Sequence, residues 1–204
     1  MLKKFAAEAL GISDIGKIIA PSDYNKVDAD DYVMHEDDEK IYFLIKSKTD
    51  EYCFTNLALI HVDGTTAVSS KRTLRRYDYY EYPISNVLLE TAGVVDLDCE
   101  IKFSIGQETL SIDVDKKQIE QLKDLYKALI RIGQIARQNN RYLNFSQRSL
   151  DISAEVFGKC RMDGISLEEN FEKITNYSFN WQLDSAKKYI VKDFGYVFEK
   201  YINE

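Results

Sequence analysis

Two histidines, three cysteines and several clusters of acid and base are the residues whose chemistry this chain could use. Nucleophilic hydrolysis needs a base beside a hydroxyl or thiol, and a third group to orient that base. His35 stands in an acidic segment. His61 stands between Ile60 and Val62, where strand alternation reads it as a surface or edge residue, and neither histidine has a nucleophile motif nearby. There is no phosphate-cradling glycine loop and no dinucleotide fingerprint. Cys53, Cys99 and Cys160 are odd in number and lack metal-ligand spacing, so they read as reduced packing residues, which points to the cytoplasm. Asp28 to Glu39 is dense in carboxylates, but it lacks the loop glycine and alternating ligands of a calcium hand. It reads as a solvated acidic lead-in to the first strand. No catalytic residue, metal or cofactor is expected.

Binding has two candidates in the sequence. Lys71, Arg72, Arg75 and Arg76 form the one dense basic patch, a candidate for anionic lipid or phosphate. On a strand Arg72 and Arg76 share one face and Lys71 and Arg75 the other, which makes a poor phosphate clamp and favours cross-strand ion pairs. Asp96, Asp98 and Glu100 share one strand face and read as a solvated or intersubunit edge rather than as paired catalytic carboxylates. The net charge of -7 repels nucleic acid and anionic bilayers on average, so nucleic acid is not an expected partner and membrane contact would need a local basic patch. Met1 to Leu10 is too short and too interrupted, by Glu8, for a signal peptide, and no stretch is apolar enough to span a bilayer.

The elements that would position these residues follow from period. Leu2, Phe5, Ala6, Ala9 and Leu10 predict a short amphipathic helix docked on its own domain, and Ser13 to Ile19 a further helical turn. From Lys40 the period falls to two. Hairpins follow through Ile45, Thr55 and Val62, then a strand or bent pair from Val68 to Tyr82, then Ile84 to Glu90, Leu97 to Ile105 and Leu110 to Val114. About seven antiparallel strands result. Thr91-Ala92-Gly93 links two of them, and Leu97, Cys99, Ile101, Phe103 and Ile105 alternate with polar residues as a half-buried strand does. Asp115 with Gln118 resembles a capping box before a helix from Lys117 to Arg137, ended by the polar run Arg137 to Arg141. A curled sheet capped by such a helix is an α+β domain. Beyond it come a short helix at Ser149 to Phe157, a helix capped by Ser166 and Glu169, and a helix from Trp181 through Tyr201. The expected division is a sheet domain over residues 1–138, with a lead-in over 1–38, and a helical hairpin extension over 139–204. The extension holds too much aromatic surface to be comfortable alone and must pack on the sheet domain or on another chain.

The run Tyr52-Cys-Phe-Thr-Asn-Leu-Ala-Leu-Ile-His-Val-Asp-Gly64, then Tyr82-Pro-Ile-Ser-Asn-Val, then Glu90-Thr-Ala-Gly-Val-Val-Asp-Leu-Asp-Cys-Glu-Ile101, closely resembles the bacterial pleckstrin-homology (PH) family. The tail resembles the extension of its YvbH-like members. Only Leu57 and Ala58, where a basic residue is commoner, depart from the pattern. The resemblance implies a PH-like, seven-stranded bent sheet or barrel closed by a C-terminal helix, homo-oligomers, no catalysis and no established ligand. Glu90, Thr91, Ala92, Gly93, Asp96, Asp98 and Glu100 become the candidate oligomer interface or family-motif residues. The function expected is a cytoplasmic interaction scaffold that self-associates through its PH-like domain, with an unidentified protein partner left open; peripheral binding of anionic lipid or phosphate is the alternative.

Overall fold

The computed structural model describes residues 14–64, 72–91, 93, 97–159 and 166–202. The expected N-terminal helix, Lys71, Ala92, Asp96 and Cys160 lie outside them. The chain divides into two compact units, Met1–Gln134 with Lys192–Glu204, and Ile135–Val191.

In the first unit β1 (Lys17–Ile18), β2 (Ile41–Lys46), β3 (Asp50–Thr55), β4 (Ala58–Gly64) and β5 (Arg72–Asp78) form one antiparallel sheet in sequence order. A second sheet holds β6 (Ile84–Glu90), β7 (Asp98–Ile105) and β8 (Glu108–Asp115). The seven longer strands are those the period of two predicts. Cys99, Ile101, Phe103 and Ile105 of β7 all face the core. The sheets do not close into a barrel. Among the described residues they meet where Gly16 N donates to Asp113 O at 2.8 Å and Asp115 N to Gly16 O at 3.0 Å. A methyl group on Gly16 would lie 2.7 Å from Ile45 Cγ2 and 2.9 Å from Asp113 O, so this seam tolerates no side chain. Because the seam needs extended backbone, Lys17 and Ile18 form a strand and not the expected helical turn.

Between the sheets Phe54 packs on Phe43 and Phe103, at centroid distances of 6.3 and 6.2 Å. The interior is closed by the first part of α1 (Ile119–Lys159), whose Leu122, Leu125, Leu129 and Ile132 are fully buried. Asp115 caps this helix by accepting from Lys117 N at 2.9 Å. Gln118 completes no capping box: its amide bonds both backbone groups of Ile18, at 2.8 and 2.9 Å. An unpaired strand end has more need of it than a solvated helix start.

The acidic lead-in is not simply solvated. Its 3-10 turns, Pro21–Lys26, Asp28–Tyr32 and His35–Asp37, lay Val27, Ala29 and Val33 on the outer face of the first sheet against Leu44, Cys53, Ile60 and Val62. Strands β2 to β4 are therefore covered on both faces, which is why their sequences run nearly continuously apolar.

Two helix boundaries differ from expectation. Arg137-Gln-Asn-Asn-Arg141 does not end α1, which runs on to Lys159 because nothing in that run removes an N–H or demands a left-handed residue. The expected helix through Tyr201 breaks instead: α2 (Leu167–Tyr189) stops, and after a short extended link α3 (Gly195–Tyr201) begins. Phe194 N donates to Asn56 O at 2.8 Å, Asn56 Nδ2 donates to Asp193 at 2.8 Å, and Tyr42 stacks on Phe198 at 5.4 Å. Tyr79 is fully buried beside Phe194 and Phe198. Phe194, Val197 and Phe198 thus belong to the core of the first unit. Phe194→Ala should cost about 3 kcal/mol by the loss of a buried ring, read as a lowered midpoint in chemical denaturation at unchanged slope.

Candidate functional site

Four polar constellations and one apolar surface could carry function. At the first, Glu39 is buried before β2, where its carboxylate accepts from Thr55 Oγ1 at 2.5 Å, Met34 N at 2.9 Å and Arg76 Nη1 at 3.0 Å. Arg76 also bonds Asp78 at 2.9 Å. Burial alone would lower the Arg76 pKa, and the bonds to Glu39 and Asp78 overcome it and raise it. Glu51 plays the same part nearby, accepting from Ala29 N at 2.7 Å and pairing with Lys46. These carboxylates tie the lead-in to the sheet. No sequence signal separates Glu39 from its exposed neighbours Glu36 and Asp37, since only packing selects which acid is enclosed.

The basic patch splits as the strand period predicts. Arg72 and Arg76 lie on the outer face with Asp28 and Glu39, while Arg75 pairs with Asp63 at 3.2 Å on the other. Each described arginine of the patch has a carboxylate partner, so little positive field is left for an anion.

His61 departs from expectation. It is buried, stacked on Tyr52 at 4.4 Å, with Nε2 3.0 Å from Asp50 Oδ1. A strand clad on both faces has no water side for it to occupy. Thr49 Oγ1 donates to the far oxygen of Asp50 at 2.5 Å, so the nearby hydroxyl serves the acid and not the imidazole. His61 Nδ1 is enclosed without a hydrogen-bond partner among the described residues. Among the described residues no hydroxyl or thiol is hydrogen-bonded to this imidazole. Cys53 offers none either, since burial pushes its thiol pKa far up. Burial pushes the Asp50 carboxyl up, and the hydrogen bonds from His61 and Thr49 overcome that and leave it below the ordinary 3.8.

At the candidate interface, Glu90 and Glu100 both pair with Lys102, at 3.4 and 2.7 Å. Lys102 and then the Ser111 hydroxyl hold the Glu100 carboxyl below its usual range. Thr91 and Gly93 are exposed at the strand end, and Asp98 opens β7 opposite Asp115.

The apolar surface lies in the second unit. There Tyr142 packs on Tyr189 at 5.5 Å, the Ser146 and Ser185 hydroxyls bond, and Trp181 Nε1 donates to Ser146 O at 3.2 Å. Toward Lys159 the helices enclose a groove of about 660 Å³ lined by Leu150, Ala154, Phe157, Ile174, Tyr177 and Trp181. Ser166 caps α2, its Oγ accepting from Glu169 N at 3.1 Å as its spacing predicts, yet no residue of α2 is buried.

A family model for the bacterial PH domain matches residues 9–132. The chain belongs to the bacterial PH domain family. A model described as the YvbH-like oligomerisation region matches residues 144–204, the second unit's α2 and the returning α3 among them. The bacterial PH chain is 60% identical over 203 residues, all of both chains, to uncharacterized protein YvbH of Bacillus subtilis (strain 168). It is also similar to the crystal structure of a PH-domain-containing bacterial protein from Exiguobacterium sibiricum, at 53% identity and a TM-score of 0.86 over 93% of this chain and 100% of that one. Among the described residues no helix is long and apolar enough to cross a membrane.

Two outcomes follow for the bacterial PH domain. With Arg72, Arg75 and Arg76 already neutralised, the full chain should stay in the supernatant when sedimented with anionic vesicles at low salt; enrichment on them would restore the lipid reading. Asp50 has a folded-state pKa below its unfolded value, so its stabilisation is full above the unfolded value and is lost as pH falls through the folded one. Asp50→Ala should therefore lower the melting temperature at pH 7, and the gap from wild type should narrow as the pH falls below the ordinary carboxylate value.

Proposed function

We propose that this protein is a non-enzymatic scaffold that self-associates through its helical extension and so gathers several copies of the bacterial PH domain. One observation carries this reading: the extension leaves its large apolar side chains in water. Leu167 is 86% exposed, Phe171 72%, Tyr177 65% and Phe179 64%. Large apolar side chains left exposed on so short a unit are what proteins cover with a partner, at roughly 25 cal/mol per Å² removed from water. The description of residues 144–204 as an oligomerisation region supports a second copy as that partner. The Glu90 to Glu100 end of the first unit is a weaker support for assembly, because its exposed carboxylates are engaged by Lys102 within the chain.

Light scattering of the full chain should give a mass that is a multiple of 23.6 kDa and falls on dilution. The double variant Leu167→Ser, Phe171→Ser, which removes two apolar side chains of α2 that are 86% and 72% exposed, should move it toward the monomer with helix content unchanged. A wild-type mass of one chain at all concentrations would end the proposal.

A further inference from the structure

The tail that returns to the first unit sits there in the manner of a bound ligand. Phe194, Val197 and Phe198 are enclosed and fall at i, i+3 and i+4, the anchor spacing of a short helix seated in a groove. Tyr196 between them is 54% exposed. The floor beneath the anchors is aromatic: Phe194 meets Tyr79 edge-on at 5.8 Å, and Phe198 stacks on Tyr42 at 5.4 Å. The backbone comes closest at Gly195, where a methyl group would lie 2.7 Å from the Tyr42 hydroxyl oxygen.

Polar contacts flank these anchors on both sides. Asn56, buried between β3 and β4, accepts from Phe194 N through its carbonyl and donates through its side-chain amide to Asp193, both at 2.8 Å. The other oxygen of Asp193 caps the helix at Gly195 N, 2.7 Å away. Beyond the second ring the Tyr42 hydroxyl donates to Glu199 at 2.9 Å. Burial first and that bond second push its pKa up to about 12, so it stays a donor. Two donors fixed in the groove thus each meet an acid, one before the first ring and one after the last. Floor and cover belong to different modules. Tyr42, Asn56 and Tyr79 lie within residues 9–132, matched by the PH domain, while α3 lies within residues 144–204, matched by the extension.

We infer that the Tyr42, Asn56 and Tyr79 groove is a docking site for a short amphipathic helix of the pattern Asp-Phe-Gly-x-Val-Phe-Glu, that α3 is its resident occupant, and that a partner protein presenting a segment of the same chemistry competes for it. The tail gates the groove, because a partner enters only when α3 lifts away. The site goes beyond self-association and does not rest on it, since every contact lies within the first unit.

Two measurements on the full chain test this. In hydrogen exchange of the wild type, the amides of Val197 and Ile202, bonded to Phe194 O and Phe198 O at 2.8 Å each, should exchange at least about tenfold faster than those of β3 and β4, because a gate opens without unfolding the sheet. Equal protection would make α3 part of the global core and overturn the proposal. The second probe is a fluorescently labelled synthetic peptide of residues 190–202 added to the Phe194→Ala chain, whose own tail has lost an anchor. The peptide should bind with a rise in anisotropy and raise the melting temperature of that variant, and it should bind the wild type at least about tenfold more weakly. A peptide carrying Gly195→Val, or Phe194→Ser with Phe198→Ser, should not bind the variant. A folded Phe194→Ala chain that ignores the peptide, or that binds all three peptides alike, would overturn the groove. A Phe194→Ala chain that no longer folds would show α3 to be core and not ligand, and would overturn it as well.

Discussion

The first unit depends on one constraint, that strands β2 to β4 are apolar on both faces and must be covered on both. The second sheet and α1 cover the inner face through Phe54, Phe103 and Leu125, and the lead-in covers the outer face through Val27, Ala29 and Val33. Covering a sheet with 3-10 turns brings backbone N–H groups down onto it that no ladder can satisfy. Glu39 and Glu51 meet that need, and their charge is met in turn by Arg76 and Lys46. The ion pairs are a consequence of the packing and not its cause, since a buried pair offsets little more than its own desolvation.

The same constraint encloses or pairs polar residues that the sequence alone reads as exposed. His61 and Asp50 stand close enough to act together, but they are enclosed by the stacking of Tyr52, and the neighbouring hydroxyl of Thr49 is already spent on the acid. The arginines of β5 are held by acids that arrive from the lead-in and from β4. On the first unit Arg72, Arg75, Glu90 and Glu100 are each paired within the chain. On the second, large aromatic and aliphatic side chains stay exposed beside the charged ones.

The two units therefore differ in kind. In the first, α3 returns after the helical excursion and supplies Phe194 and Phe198 to a core that is complete within one chain. In the second, a pair of serines and a single indole bond hold the helices together at one end, and beyond them Phe171 and Phe179 stay largely exposed. An exposed apolar surface of this kind is what the proposed self-association would cover.

Much of this was legible in the residues. The period of two from Ile41 to Val114 determined seven antiparallel strands, because alternation fixes which side chains share a face before any strand finds its neighbour. The Ser166 cap, the split of Arg72 and Arg76 from Arg75, and the surplus of aromatic residues after Asn140 were readable for the same local reason. What the sequence could not carry was anything settled between distant segments. Whether a strand has one wet face or none depends on what else lies over it, so His61 and Glu39 read as exposed and were not. Helix ends at Arg141 and at Tyr189 were decided by contacts with Tyr42 and Asn56, or by their lack, and not by propensity. Local pattern sets period and caps, while burial is a property of pairs of segments, and only the tertiary structure brings those pairs together.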